Sequence, residues 1–513
     1  MRLSDLSLEE KVGQMFAVSH RGAEMTDISK RLIETRGIGG IFLGTDCLEE
    51  PRQVHRLTTE LQRAALGTRH GIPLFISADF IAGAGCKLRR GAVHFPKNRA
   101  LAVSGDEALV YESGRITAEE SLAMGVNFNY SPVVDINNNP DNPVIGTHSF
   151  GEDKELVSRL GSAVIRGYQD HGLIATAKHF PGHGDTHVDS HEDLPVLPFD
   201  RERLETFEFI PFRRAIETGV EAVMVGHIAA PALDPSGMPA SLSPAIITGI
   251  LRDRLGFGGL VVTDGLSMKG VANRFSMEEA CVRAVAAGAD ILLATVPDGE
   301  MALSLIDAVL QAVRCGDIEE RRIDESVERI LAVKRKYGLL PETFALRPFD
   351  PTATDRESDR AVSLAAARRA VSPVHGMRPL AENGRLPDAI TLIRDAQAAR
   401  FAELLRGKGV LAGETVVDAE TGLPAAIAGT DASETVLVAA GYPKPMRKEV
   451  LRACREALAQ RPKSAWIHFG SPYDADSLQG VPMLLLYDAT ADLQQSAVEY
   501  VLGQSGKWNE GCL

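Results

Sequence analysis

The densest group of residues that could do chemistry lies between Lys178 and His191, in the segment KHFPGHGDTHVDSH. It begins within an apolar, strand-like run and is rich in glycine, histidine and aspartate. Titratable side chains are costly to bury unless they are paired, so their crowding at the end of a strand favours catalysis or metal binding. A solvated loop with incidental histidines is the alternative without chemistry.

Two kinds of chemistry fit this segment. Imidazole and carboxylate groups are ligands for zinc, manganese or iron, and barrel metallohydrolases carry such groups at their strand ends. The candidate ligands are His183, Asp185, His187, Asp189 and His191. In the second interpretation, Asp189 orients His191 and raises its basicity, and the imidazole transfers protons. Composition alone does not separate these two interpretations.

A second candidate is Asp264, in the segment VVTDGLSM. It ends an apolar strand and is followed by a glycine and the apolar start of a helix. A carboxylate held at the mouth of a barrel can attack an anomeric carbon and form a covalent glycosyl intermediate. Many strands end in aspartate, so this segment alone does not identify the reaction.

The elements that must position these residues are short apolar runs separated by helical patterns such as Glu152–His171 and Ser276–Gly288. The strand-like runs are Gly39–Gly44, Pro73–Asp79, Asn127–Asp135, Ala175–Phe180, Ala222–Ile228, Leu260–Gly265 and Ala289–Thr295. Apolar strands that alternate with helices indicate a parallel sheet covered on both faces. Seven or eight such units over residues 1–340 favour an α/β fold with a (β/α)8 TIM-like barrel over an open doubly wound sheet.

Polar residues recur at the ends of these strands: Asp79, Lys178, His179 and Asp264, with His227 next to another strand end. The loops at the C-terminal ends of barrel strands converge on one mouth, where barrel enzymes place their active sites. We therefore expect these side chains to gather there. Any one of them, taken alone, could simply meet solvent.

The chain after the barrel predicts a second, smaller domain. Residues 341–355 carry prolines and turn formers without periodicity, which is typical of a linker. Strand-like runs then recur at Ala389–Arg394, Thr435–Ala440, Ala465–Phe469 and Met483–Tyr487. We therefore predict an α/β sandwich domain over residues 356–513. It has no comparably dense group of His and Asp residues, so we expect a structural role.

Composition narrows the classes of function and the compartment. The chain has 513 residues and a formal net charge of −14, which disfavours non-specific nucleic-acid binding. Its six cysteines form no CxxC pair, which favours free thiols in a reducing compartment. The beginning, MRLSDLSLEEKVGQMF, does not fit a secretory signal, and no stretch is apolar enough to span a bilayer. We expect a cytoplasmic protein with no nucleic-acid or membrane partner; its oligomeric state is not predicted.

The chain resembles glycoside hydrolase family 3, and within it the β-N-acetylglucosaminidase branch. The resemblance rests on the segments LSLEEKVGQMF, GVNFNYSPVVDINNNPDNPVIG, KHFPGHGDT followed by DSH, MPASLSP, LVVTDGLSMKG and SVERILAVKRKYGLL. They occur in family order from about Leu6 to Leu340 and cover essentially the whole first domain. The segment HFGSPYDADSLQGVP is similar to the α/β sandwich domain of two-domain members.

The resemblance implies a role for each residue that matches the motifs of the family. Asp264 matches the family nucleophile, His191 matches the general acid/base of this branch, and Asp189 matches its orienting partner. The branch needs no metal, so the resemblance favours the proton-transfer interpretation of the histidine-rich segment. No cofactor is implied.

The resemblance also implies a sugar-binding set, and this chain departs from it. Lys178 and His179 match residues that hold sugar hydroxyls, and Asp79 matches the acidic residue that binds the terminal sugar. Three further positions differ from the usual family residues: Ile81 replaces a glutamate, and Lys87 and His148 replace arginines. Arginine binds through a rigid planar fork that lysine and neutral histidine lack, so these changes put the identity and affinity of the substrate in question.

The leading hypothesis is therefore a retaining exo-β-N-acetylglucosaminidase that forms a covalent glycosyl-Asp intermediate, acting on cell-wall fragments. A competing hypothesis is a phosphorylase that uses the same residues, because a neutral imidazole does not repel an incoming anion as a carboxylate does. Two more hypotheses stay open on the sequence: a sugar-binding relative with impaired catalysis, and a metal-dependent hydrolase.

Overall fold

The computed structural model describes residues 2–296, 299–381, 389–442, 445–504 and 508. By their internal contacts they divide into two units. The first comprises Met1–Val93, Tyr111–Asn138 and Glu152–Arg356, and the second comprises His94–Val110, Asn139–Gly151 and Glu357–Leu513. Two segments from the first 340 residues thus group with the second unit. The predicted bounds of the two domains and of the linker at 341–355 stay a prediction.

Eight strands form the barrel of the first unit, within the part of the chain that the structure describes. They are β1 (Phe16–His20), β2 (Gly40–Leu43), β3 (Phe75–Ala78), β4 (Phe128–Asn129), β5 (Thr176–Phe180), β6 (Ala222–Val225), β7 (Leu260–Thr263) and β8 (Leu292–Ala294). They pair in the orders β4-β3-β2-β1-β8 and β5-β6-β7, and each pair is parallel.

Short parallel bridges join these two sheets into a ring. Phe128 pairs with Ile174 between β4 and β5, and Val262 pairs with Ile291 between β7 and β8. The predicted α/β class and the TIM-like barrel are confirmed. The C-terminal ends of all eight strands therefore face one mouth, where side chains from distant parts of the chain can meet.

Helices separate the strands and continue into the second unit. The α-helices are α1 (Leu8–Gln14), α2 (Asp27–Arg36), α3 (Pro51–Leu66), α4 (Asn98–Val103), α5 (Glu107–Ala123), α6 (Lys154–Gln169), α7 (Arg201–Arg203), α8 (Ile210–Glu217), α9 (Lys269–Ala272), α10 (Met277–Ala287), α11 (Gly299–Cys315), α12 (Glu320–Lys336), α13 (Glu357–Ala370), α14 (Ala399–Gly407), α15 (Leu423–Ala428), α16 (Lys448–Ala459) and α17 (Ala491–Val501). Two segments, Leu204–Glu208 and Ala245–Arg254, are π-helical.

The helix predicted over Ser276–Gly288 is observed as α10, and the residues at its two ends explain why the sequence predicts it. The Ser276 hydroxyl accepts the backbone N–H of Glu279 at 3.1 Å, which caps the start of α10. Gly288 ends the helix at φ 116°, a left-handed conformation that glycine adopts without steric cost. Both ends of the element are therefore encoded by the residue types themselves.

Two barrel strands differ from the predicted runs. The sequence does not predict β1, because Phe16–His20 follows α1 with only Met15 between them and no turn-forming residue marks the change. The predicted run Asn127–Asp135 pairs regularly only at Phe128–Asn129, and the chain then continues as irregular backbone towards Asp135. That irregular stretch lies at the mouth of the barrel.

The second unit contains a six-stranded sheet in the order β11-β10-β12-β13-β14-β9. The strands are β9 (Ser372–Val374), β10 (Ile390–Arg394), β11 (Leu411–Val416), β12 (Val436–Ala440), β13 (Ser464–His468) and β14 (Met483–Leu485). Among these strands, only β9 runs antiparallel to its neighbour. Helices α13, α14 and α17 pack together, as do α15 and α16. The α/β sandwich fold is confirmed; the short β9 and the partly exposed edge strand β11 were not predicted.

Two further features bear on the sequence-based expectations. No helix in the described ranges is both long and apolar enough to cross a membrane. Among the described residues, five cysteines are free thiols: Cys47, Cys86, Cys281, Cys315 and Cys454. Cys512 lies outside those residues.

Candidate active site

Asp79 and Lys178 meet at the barrel mouth, one residue beyond the end of β3 and within β5. The ammonium of Lys178 donates a hydrogen bond to Asp79 Oδ1 at 2.6 Å. Burial opposes ionisation of Asp79, but the charges of Lys178 and Lys87 hold its pKa below the usual value. Lys87 thus lies within electrostatic range of the same carboxylate. The structure brings these three predicted sugar-binding residues together.

His179 is held by a carboxylate that the sequence did not single out. Asp135 accepts the His179 backbone N–H at 3.1 Å and contacts its Nδ1 at 2.8 Å. Asp135 also accepts the backbone N–H of His183 at 2.7 Å. Its carboxylate is fully buried, so it orients the imidazole rather than meeting solvent. The polar end of the run NFNYSPVVD is the sequence signal that points to it.

Asp264 follows β7 and is half-buried, within electrostatic range of His179 and Lys178. Burial opposes its ionisation, but the imidazoles of His179 and His227 and the backbone N–H of Gly265 keep the pKa of Asp264 below its usual value. That N–H donates to Asp264 Oδ1 at 2.8 Å. The carboxylate is therefore ionised at neutral pH and is held at the strand end, as a nucleophile requires.

Asp189 and His191 form a hydrogen-bonded pair in the loop after β5. Asp189 Oδ1 contacts Nδ1 of His191 at 2.8 Å and accepts its backbone N–H at 3.0 Å. The side chain of His191 is 63% exposed, whereas that of Asp189 is 13% exposed. An ionised carboxylate only accepts hydrogen bonds, so Nδ1 carries the proton and Nε2 is the atom placed to exchange one.

Ser190, between the members of this pair, anchors the loop. Its carbonyl accepts the backbone N–H of Gly270 at 3.0 Å. Gly270 lies in α9, the short helix that follows Asp264. The loop that carries His191 is therefore attached to the segment that carries Asp264, although 73 residues separate the two in sequence. The sequence indicates Ser190 only as part of the DSH motif and gives it no role of its own.

His183 has the contacts of a structural imidazole. The Thr186 hydroxyl donates to the carbonyl of His183, so it accepts the Nδ1–H of His183 at 2.7 Å. Ser190 Oγ lies 3.1 Å from Nε2. Burial lowers the pKa of His183 to about 4, so the ring is neutral. Both ring nitrogens are engaged with hydroxyl groups, which leaves neither for a metal.

Two other predicted metal ligands, Asp185 and His187, are not placed beside His183 as ligands of one ion. Asp185 accepts a hydrogen bond from Asn138 at 2.5 Å and lies 3.5 Å from the guanidinium of Arg203. His187 is exposed. Within the described ranges, no three His, Cys, Asp or Glu side chains are grouped as ligands of one ion. The structure therefore pairs Asp189 with His191 and distributes the remaining candidates among separate contacts.

Two departures from the family pattern, Ile81 and His148, lie in different places. Ile81 is half-buried in the loop after β3, where it forms an isolated β-bridge with Gly83. His148 belongs to the second unit, on the turn Gly146–His148, where its carbonyl accepts a hydrogen bond from Asn98 at 2.8 Å. Its assignment to sugar binding stays a prediction.

An α/β barrel that collects a half-buried carboxylate, a lysine–aspartate pair and a histidine–aspartate pair at its strand ends has the organisation of a barrel enzyme. The family model described as the glycosyl hydrolase family 3 N terminal domain matches residues 7–333. The chain belongs to glycosyl hydrolase family 3, and the resemblance inferred from its motifs is confirmed.

Individual relatives agree with this family. Beta-hexosaminidase A of Pseudoalteromonas piscicida is 32% identical over 377 residues, which cover 69% of this chain and 62% of that protein. Beta-N-acetylglucosaminidase/beta-glucosidase of Cellulomonas fimi is 33% identical over 392 residues, 72% of this chain and 67% of that protein. The chain thus spans roughly two thirds of the length of these relatives.

A solved structure is similar over nearly the whole chain. It is the glycoside hydrolase family 3 beta-N-acetylglucosaminidase from Paenibacillus sp. str. FPU-7, with a TM-score of 0.87 and 33% sequence identity. The similarity covers 97% of each chain. Both the barrel and the second unit therefore have counterparts in that protein.

Proposed function

We propose that this chain is a retaining exo-β-N-acetylglucosaminidase, which hydrolyses terminal N-acetylglucosamine β-glycosides through a covalent intermediate on Asp264. The names of the similar proteins support the substrate class, since they include beta-hexosaminidase and beta-N-acetylglucosaminidase. Family membership supports the reaction class.

The observation that carries the proposal is the 2.8 Å hydrogen bond between His191 and Asp189, in a loop anchored to the segment after Asp264. A retaining glycosidase needs a nucleophile and a separate acid/base, and both roles are ordinarily filled by carboxyl groups. Here an exposed imidazole is available for the second role, and a half-buried carboxylate for the first.

In the first step, Asp264 attacks the anomeric carbon and the bond to the leaving oxygen breaks. His191 donates its Nε2 proton to that oxygen, so the leaving group departs as a neutral alcohol. Asp189 keeps the Nδ1 proton in place and stabilises the imidazolium before the transfer. The ionised state of Asp264 supports its role as nucleophile.

In the second step, neutral His191 accepts a proton from water, and the resulting oxygen attacks the glycosyl–Asp264 ester. This regenerates both the carboxylate and the imidazolium. A neutral imidazole does not repel an anion that approaches the glycosyl–Asp264 ester. Phosphate could therefore replace water as the acceptor, and the experiment must test for it.

Substrate binding is assigned to Asp79, Lys178, His179 and Lys87, whereas a role of His148 in sugar binding stays a prediction from the sequence. Asp79 and Lys178 can accept and donate hydrogen bonds to adjacent sugar hydroxyls while their charges balance. Cell-wall fragments in the cytoplasm are the proposed source of the substrate. These steps use no cofactor.

The test is hydrolysis of 4-nitrophenyl N-acetyl-β-D-glucosaminide with and without inorganic phosphate, by the wild type and by Asp264→Asn. We expect phosphate-independent hydrolysis by the wild type and loss of turnover in the variant, because the amide cannot form the covalent ester. Circular dichroism and thermal melting establish that the variant is folded. A folded Asp264→Asn protein with a near-normal rate would refute the assignment, and a strict phosphate requirement would identify a phosphorylase.

A further inference from the structure

One buried pair of polar side chains, His227 and Ser241, takes no part in the steps above. His227 lies two residues after β6, and Ser241 lies in the motif MPASLSP, on the turn Ala240–Leu242. Both side chains are completely buried. The backbone N–H of Ala240 donates to the carbonyl of Ile228 at 2.8 Å, which docks this turn against the end of β6. A buried imidazole and a buried hydroxyl are costly unless they bond to each other or to the backbone.

The contacts of His227 determine its tautomer. Nε2 lies 2.9 Å from the carbonyl oxygen of Gly265, which can only accept, so Nε2 carries a proton and donates it. Nδ1 lies 2.7 Å from the Ser241 hydroxyl. Burial lowers the pKa of His227, so the ring is neutral and Nδ1 accepts the proton of the Ser241 hydroxyl. The hydrogen bonds thus run in one direction, from Ser241 through His227 to Gly265.

Gly265 connects this chain of hydrogen bonds to the nucleophile. Its N–H donates to Asp264 Oδ1 at 2.8 Å, while its carbonyl accepts from His227 and, at 2.9 Å, from the backbone N–H of Met268. A side chain at this position would contact the Thr295 hydroxyl at 2.9 Å, so the backbone is also closely packed. Rotation of the Gly265 backbone would break a hydrogen bond on either side of it.

We propose that Ser241 and His227 are positioning residues for the glycosylation step, holding Gly265 so that its N–H keeps the Asp264 carboxylate aimed at the anomeric carbon. The inference rests on the proposed function, since it takes Asp264 to be the nucleophile. It also assigns a role to the MPASLSP motif, which the steps of the proposed reaction do not use.

The charged and titratable groups around His227 fit a neutral positioning role. Asp264, His191 and His179 are the groups whose charges act on it. A cationic His227, within electrostatic range of both Asp264 and His191, would discourage the imidazolium form of His191 that protonates the leaving group. A neutral ring directs Asp264 without altering that charge balance.

The experiment compares four variants with the wild type on two substrates, a 2,4-dinitrophenyl N-acetyl-β-glucosaminide and N,N′-diacetylchitobiose. His227→Phe keeps the ring volume but removes the Nε2 donor, and we expect kcat/KM to fall by about 10²-fold, as for other small misplacements of a reacting group. His227→Gln can return an N–H to the Gly265 carbonyl and should recover at least about tenfold of that loss.

Ser241→Ala should lower kcat/KM by about fivefold, which corresponds to the loss of one ordinary hydrogen bond. Ser243→Ala, on the same segment but bonded to Asp234, is the matched control and should retain the wild-type rate.

Positioning of the nucleophile predicts a specific pattern. The loss in kcat/KM should be equal for the good and the poor leaving group, and the inhibition constant of N-acetylglucosamine should stay within about twofold of the wild type, because only the transition state loses stabilisation. The rate at which a 2-acetamido-2-deoxy-5-fluoroglucosyl fluoride labels Asp264 should fall by the same factor. Thermal melting shows whether each variant is folded.

Three outcomes would overturn the proposal: a folded His227→Phe protein with the wild-type rate, no recovery in His227→Gln, or a loss confined to the poor leaving group. The first two remove the Nε2 donor from the mechanism, and the third places His227 in proton transfer. Failure of the proposed function itself is distinguishable, because the wild-type protein would then neither hydrolyse either substrate nor become labelled at Asp264.

Discussion

The pairing of an imidazole with a carboxylate distinguishes this site, at the scale of single residues, from one built on two carboxyl groups. Protonation of the leaving oxygen matters most when the leaving group is a sugar alkoxide and least when it is a stable phenolate. His191 is largely exposed and can reach such an oxygen, whereas Asp189 is largely covered and acts through His191. The two residues should therefore differ in the size of their effects but share a dependence on the leaving group.

We predict that His191→Ala lowers kcat/KM on disaccharides by about 10²–10⁴-fold, the range of general acid catalysis, and much less on dinitrophenyl glycosides. Asp189→Ala should show the same dependence in milder form. The measurement is a Brønsted plot of kcat/KM against leaving-group pKa, which should steepen in both variants. An unchanged slope in His191→Ala would remove the imidazole from proton transfer; His187→Ala, an exposed histidine of the same loop, is the matched control.

Lys87 departs from the family pattern at a position close to the proposed sugar site, since its charge lowers the pKa of Asp79. Because arginine presents a rigid fork to a sugar hydroxyl and lysine does not, we predict that Lys87→Arg lowers KM for N-acetylglucosaminides and changes kcat less. Steady-state kinetics on the 4-nitrophenyl glycoside measure both constants. An unchanged or higher KM would mean that the pocket is adapted to lysine and to a different sugar.

At the scale of elements, the barrel depends on a buried carboxylate just before β8. Asp290 is completely buried and forms ion pairs with Arg252, Arg322 and Arg329. It also accepts the backbone N–H of Val261 at 2.9 Å. These contacts connect the π-helical segment Ala245–Arg254, helix α12 and strand β7, the strand that ends at Asp264.

Asp290→Asn should lower the free energy of unfolding by about 3–5 kcal/mol, because three partly buried guanidinium groups lose the buried carboxylate that balances their charge. Urea denaturation followed by circular dichroism measures the change. Asp307→Asn is the control: Asp307 pairs with Arg36 on the surface and is 54% exposed, so its loss should cost at most about 1 kcal/mol. Equal costs for the two variants would contradict this role for Asp290.

The loop after β5 shows how elements assemble the site. Its glycines, histidines and aspartates identified it in the sequence, but the same residue types fitted either a metal site or a proton-transfer pair. The structure places His183 between hydroxyl groups and His191 against Asp189. The difference arises from backbone contacts, chiefly those of Ser190 and Gly270, which spacing alone does not specify.

For the barrel as a whole, Lys334 joins parts of the chain that are far apart in sequence. Its ammonium donates to Gln14 Oε1 at 2.8 Å and to the carbonyls of Gly39 and Pro73 at 3.1 and 2.8 Å. The side chain is completely buried, and these partners are neutral oxygens. Burial lowers the pKa of Lys334 to about 7.

This shift predicts how stability depends on pH. Between pH 7 and about 10 the unfolded chain keeps a proton on this lysine that the folded chain releases, so the contribution of Lys334 to stability rises with pH. The free energy of unfolding of the wild type should increase relative to Lys334→Met by up to about 1.4 kcal/mol per pH unit in that window, and the difference should level off below pH 7. Denaturant titrations at pH 6, 7, 8 and 9 measure it, with the exposed Arg335→Met as control. A difference that does not vary with pH would mean that the folded state retains the ammonium.

The sequence by itself determined the α/β class, most of the strands and the identity of the family. Strand and helix periodicities are local, and residues such as Ser276 and Gly288 mark the ends of an element through their own chemistry. The motifs around Lys178–His191 and Asp264 likewise identify the chemical groups without knowledge of their neighbours.

Only the tertiary structure decided which of these groups act on one another. Asp135 contacts His179, which lies 44 residues later in the sequence. Lys178 pairs with Asp79, which lies 99 residues earlier, and Ser241 forms a hydrogen bond with His227. Such contacts depend on the closure of the barrel, in which strand order and register bring distant strand ends to one mouth. The directions of hydrogen bonds and of pKa shifts follow from burial and neighbours, and neither is a property of a residue type or of its spacing.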